Sequence, residues 1–127
     1  MVKLAIVFLG AGLGGTMRYL LQGWVQGVAG TAFPLGTLVV NVLGCFVLGL
    51  LLPLLIGPAA LDDRYRLGLV VGVLGGFTTF SAFGVETLDL AAQRQFLLAA
   101  ANIVLSMIMG PAGVWVGMQM ATRWTAG

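Results

Sequence analysis

Three long stretches of the chain carry no charged side chain: Tyr19 to Leu61, Leu67 to Val85, and Gln95 to Thr122. Each holds at least one helix long enough to cross a hydrocarbon core, which takes about 20 residues. The charges stand in small groups, at Lys3, at Asp62, Asp63, Arg64 and Arg66, at Glu86 and Asp89, at Arg94 and at Arg123, with Arg18 alone inside an apolar run. Gly and Pro punctuate the apolar sequence further, and the pattern predicts four helices at 3–27, 34–57, 65–92 and 95–121. Their connections are short: Gly27 to Phe33, Gly57 to Asp63, which is the polar one, and Ala92 to Gln95. Helices joined so tightly run antiparallel to their neighbours. The fold class expected is therefore all-α integral membrane, a single four-helix transmembrane domain over residues 1–127.

Composition agrees with that pattern and removes several alternatives. Of the residues 60% are hydrophobic and 8% charged, where a soluble domain carries about 25% charged. The net charge of +2 is spread over separated basic residues, so no patch for nucleic acid exists. One cysteine, Cys45, excludes an internal disulfide, and the absence of His removes the usual general base. With no nucleophile and base pair in view, an enzyme is not expected. Lys3 and the apolar run behind it imitate a signal peptide, but a second, longer apolar stretch follows, so the first reads as a retained helix.

A polar side chain within hydrocarbon needs a partner or a task. Thr37 and Asn41 stand four apart on one face of the second helix, followed by Gly44. Asn102, Ser106 and Gly110 repeat that spacing in the fourth. The most unusual run is Gly75-Gly76-Phe77-Thr78-Thr79-Phe80-Ser81, a poor helix centre, since Gly costs about 1 kcal/mol relative to Ala and hydroxyls compete for backbone groups. It predicts a helix break near Gly75 to Thr79. Such a break serves equally as a bare kink or, through freed carbonyls lining a cavity, as a cation site. Phe80 and Phe83 share a face if helix resumes at Phe80; their positive ring edges suit a small anion, and packing alone also accounts for them. The glycine pairs Gly10/Gly14, Gly72/Gly76 and Gly113/Gly117 each fall on one helix face and read as packing seams.

Taken together, these residues resemble the Fluc, or CrcB, family of microbial fluoride channels over essentially the whole chain. The resemblance rests on Gly14-Gly15-Thr16-Met17-Arg18-Tyr19, on Gly36-Thr37-Leu38-Val39-Val40-Asn41-Val42-Leu43-Gly44, and on Gly75 through Phe83, in that order. It implies a multi-pass protein of the plasma (inner) membrane, forming an antiparallel, dual-topology homodimer with two fluoride pores and a central structural sodium ion. It also implies that Asn41, Phe80 and Phe83 line the pore, with Thr37, Ser81 and Ser106 on its polar track. Arg18 would stand near a vestibule, Glu86 near the permeation path, and the backbone carbonyls of Gly75 and Thr78 would hold sodium. Ala82 and Gly110 depart from the family, which often has hydroxyls there. The expected partners are fluoride, sodium, membrane lipid and a second copy of the chain.

The competing class is a proton-coupled exporter of the small multidrug resistance type, also a four-helix antiparallel dimer. Those proteins rely on a carboxylate in the first helix. Here that helix has none, and Glu86, in the third span, is the only candidate.

Overall fold

The computed structural model describes residues 1–56 and 62–125, with the side chain of Thr125 left aside. All regular structure among these residues is helical: α1 Val2–Ala29, α2 Leu35–Ile56, α3 Asp63–Arg66, a π-helical segment Leu67–Leu74, α4 Gly75–Phe77, α5 Phe80–Ala92 and α6 Phe96–Thr125. Four helical spans are long and apolar enough to cross a membrane: Val2–Ala29, Leu35–Ile56, Asp63–Ala92 and Phe96–Trp124. Most of the connection expected from Gly57 to Asp63 lies outside the described residues.

Local chemistry explains the ends. α1 stops at Gly30, whose φ of 58° is left-handed and whose N–H closes onto Gln26 O at 3.1 Å. The Asp62 carboxylate caps α3 by accepting from Arg64 N–H at 2.8 Å. At the other hairpin, Gln95 N–H reaches back to Leu90 O (2.8 Å) while Arg94 N–H bonds Ala91 O (2.9 Å), the nested pair of a Schellman motif. Its left-handed residue is Arg94, at φ 59°.

Two seams of small residues hold the bundle together. Along the first, Gly10 faces Gly68 and Gly72, Gly14 faces Val73 and Phe77, and Gly76 faces Ala11, so α1 and the third span run parallel with their backbones touching. Along the second, Gly49 lies on Val114, and Gly113 and Gly117 lie on Val42 and Phe46, so α2 and α6 are likewise parallel. This second seam is the most extensive interhelical contact. A Cβ at Gly14 would run into the Val73 carbonyl, leaving no room even for alanine.

The third span departs from a plain α-helix in two ways, one of them the break the sequence predicts. Its first half winds as a π-helix against the glycine face of α1, where wider turns bring backbone to meet backbone. Its break is narrower than predicted: Gly75–Phe77 remain helical, and only Thr78 (φ −83°, ψ 158°) and Thr79 (φ −149°, ψ 120°) are extended. Pro111 and Pro53 both lie within helices that continue through them.

Candidate functional site

The extended pair Thr78–Thr79 is held open by a side chain from another helix. Asn41 of α2 donates Nδ2–H to Thr79 O and accepts Thr79 N–H on Oδ1, both at 2.8 Å. An amide side chain thus substitutes for the missing helical turn. Thr79 then starts α5, its Oγ1 accepting from Ala82 N–H at 3.2 Å. These two substitutions have an electrostatic result. In an unbroken helix Thr79 N–H would bond Gly75 O and Ala82 N–H would bond Thr78 O. Both donors go elsewhere, so the Gly75 and Thr78 carbonyls lose their usual partners. The Leu74 carbonyl, by contrast, accepts twice, from Thr78 N–H and from Thr78 Oγ1–H, both at 3.0 Å.

Around this break lies a cavity of about 360 Å³ whose lining includes Asn41, Gly75, Thr78, Phe80, Phe83 and Ser106. Six of the sequence-predicted residues therefore converge from α2, the third span and α6, and none of the described lining residues is charged. The Phe80 and Phe83 rings stand 5.4 Å apart at 41°, a tilted pair. Phe80 is 76% exposed, so this chain alone leaves the cavity rim uncovered. α5 begins here, and the positive end of a helix dipole favours anions.

Thr37, Ser81, Glu86 and Arg18 lie elsewhere. Ser81 is exposed, its hydroxyl 3.3 Å from Thr79 Oγ1. Arg18 is half-buried on α1 and does not line the cavity at the break; among the described residues the ion pair present is Arg66–Asp63, at 3.1 Å. Thr37 is buried and joins a second polar group, in which Gln22 Nε2–H donates to Thr37 Oγ1 (2.9 Å) and Thr37 donates to Glu86 Oε1 (2.6 Å). Gln22 and Glu86 line a separate cavity of about 560 Å³, together with Tyr19, Gln26 and Asp89, beside the α1–α2 and α5–α6 hairpins.

Several contributors escaped the sequence reading. Gln22 and Gln26, one turn apart on α1, tie it to the start of α2: the Gln26 amide donates to Thr31 O (2.8 Å) and Phe33 O (3.1 Å) and accepts from Gly36 N–H (3.1 Å). Their signal was present, since two amides inside an apolar span require partners. Thr87 also went unremarked. It donates to Phe83 O (2.7 Å) and accepts from Asn102 Nδ2–H (2.9 Å), so Asn102, 2% exposed, locks α5 to α6 outside the cavity.

Known sequences resemble this one along nearly its whole length. The family described as CrcB-like protein, Camphor Resistance (CrcB), matches residues 5–118. A protein of Geobacter sulfurreducens is 44% identical over 120 residues, covering 94% of this chain and 96% of its own. One from Rhodospirillum rubrum is 46% identical over 114 residues, 87% and 88% of the two chains. One from Solibacter usitatus is 43% identical over 122 residues, 96% of this chain and all of its own. All three bear the name fluoride-specific ion channel FluC.

Proposed function

Because the chain belongs to the CrcB family and is a multi-pass membrane protein, we propose that it is a fluoride-selective passive channel that lets cytoplasmic fluoride out of the cell. The observation that carries this reading is the uncharged cavity at the helix break, supported by the name its relatives share. Fluoride is small and strongly hydrated, so a path must replace lost water at close quarters. Asn41 keeps one amide proton beyond its bond to Thr79 O, Ser106 brings a hydroxyl, and Phe80 and Phe83 offer ring edges. Donors without fixed charge let an anion bind and leave again. Thr37 and Ser81, which stand off this cavity, would extend its polar track in this reading, and Arg18 would serve a vestibule.

The exposed Phe80 rim supports a second copy as the missing wall, giving an antiparallel homodimer with two pores. The residues at the break also fit a structural sodium ion. Gly75 and Thr78 offer uncharged carbonyls stripped of their helical donors, the kind of ligand an alkali cation takes, and two carbonyls from one chain need two more from a partner. When bound, such an ion would stabilise these carbonyl oxygens by charge–dipole attraction in place of the N–H donors they lack. Lys3, Arg64, Arg66 and Arg123 share one side of the bundle against Arg94 on the other, a bias to set against equal insertion in both directions.

A fluoride electrode on sealed vesicles holding the purified protein tests the function. Fluoride efflux is expected without any proton gradient, and much slower chloride efflux. Equal chloride efflux would refute selectivity, dependence on a proton gradient would favour the exporter class, and vesicles that keep their fluoride would end the reading.

A further inference from the structure

The chain Gln22–Thr37–Glu86 crosses three helices and has a direction. The Gln22 Nε2 amide can only donate, so Thr37 Oγ1 accepts at 2.9 Å. A threonine hydroxyl carries one proton, and this one goes to Glu86 Oε1 at 2.6 Å. Thr37 is 3% exposed and has no water to consult instead. Glu86 Oε2 is buried and, among the described residues, has no hydrogen-bond partner, so the Thr37 bond is the hydrogen bond that holds this carboxylate where it is. Glu86 is among the residues lining the cavity at the hairpin end of the bundle, its Oε2 buried, whereas Asp89, one turn further along α5, is exposed.

We propose that Gln22 is a positioning residue for the anion path: by occupying the acceptor side of Thr37 it commits the hydroxyl proton to Glu86 and keeps that carboxylate against α2, out of the polar mouth. This deepens the fluoride-channel reading and rests on it. Without the amide, the acceptor side of Thr37 stands empty and the hydroxyl rotor is no longer fixed toward Glu86. The bond that holds Glu86 is then weaker, and the carboxylate spends part of its time turned into the cavity beside Asp89. Two carboxylates at one mouth repel an entering anion, because charge lining a low-dielectric cleft sets the local ion concentration. Gln22 touches no permeating ion in this scheme. Its effect passes through Thr37.

The test is fluoride efflux from vesicles for wild type, Gln22→Met, Thr37→Val and the double variant, with dimer elution and melting recorded for each. Gln22→Met is expected to slow efflux about threefold, the factor equivalent to about 0.6 kcal/mol for one interhelical hydrogen bond. Thr37→Val is expected to slow it at least as much, and adding Gln22→Met to Thr37→Val to change nothing further. Efflux by Gln22→Met at the wild-type rate overturns the proposal, as does a full extra loss in the double variant, which marks a merely structural role. Should Gln22→Met fail to give folded dimer, Gln22→Leu, which likewise lacks the donor and adds no charge to the mouth, carries the same comparison. A wild-type protein that passes no fluoride defeats the channel reading itself, separately from these differences.

Discussion

Replacing Asn41 by alanine removes the one side chain that substitutes for the missing turn at Thr78–Thr79. Two bonds of 2.8 Å disappear together, one from each face of the amide. In a membrane an average interhelical hydrogen bond contributes about 0.6 kcal/mol, whereas an unpaired buried backbone group costs about 1–3 kcal/mol. Thr79 is 7% exposed, so its freed N–H and C=O cannot turn to solvent, and the larger figure governs. With two groups freed, the expected loss is about 2–6 kcal/mol if the break widens, and toward the lower end if Thr79 N–H re-forms helix by bonding Gly75 O. Denaturant titration of the protein in detergent, followed by circular dichroism, measures it. Asn41→Asp provides a control: it keeps the acceptor for Thr79 N–H but sets an oxygen against Thr79 O, so it should be no more stable than Asn41→Ala. A midpoint for Asn41→Ala equal to wild type would refute the idea that this amide holds the break open.

Gly14→Ala drives a methyl into the Val73 carbonyl and should prevent the first seam from closing, while Gly12→Ala, with nothing within 4 Å, should leave elution and melting unchanged. Arg94→Gly removes a side chain from a left-handed residue whose strain is about 1–2 kcal/mol, and, after the entropy of glycine, melting should hold steady or rise by a few degrees. Phe80→Ile should depress fluoride efflux at least tenfold while dimer elution stays the same; unchanged flux would remove that ring from the path. Replacing sodium by a bulky organic cation during extensive dialysis should weaken the dimer, read as a shift toward monomer on dilution, if the Gly75 and Thr78 carbonyls hold an ion.

The four spans were legible because the signal for them is coarse: long charge-free stretches, with Gly and Pro between. The break was legible too, since two threonines after two glycines make a weak helix centre. Its width was not, because only Asn41, far off in sequence, decides which residues leave the helix. The π-helical winding had no signal, since Leu, Val and Gly at 67–74 suit an α-helix equally well and the choice is made by contact with α1. Thr37 and Asn41 share a helix face, yet one bonds to Glu86 and the other to Thr79. Spacing could group them but could not show that their neighbours differ. Gln22 and Gln26 announced a need for partners inside an apolar span, but which group each one bonds is decided by the packing of α1 on its neighbours.

Both glycine seams join helices that are not consecutive, α1 with the third span and α2 with α6. During synthesis the first span must therefore wait beside an unmatched neighbour until the third arrives, and the second until the fourth. A nascent chain halted halfway has neither interface available, so half-built intermediates present bare glycine grooves to lipid and to quality-control proteases. Interleaving makes completion of the last helix the event that commits the whole molecule.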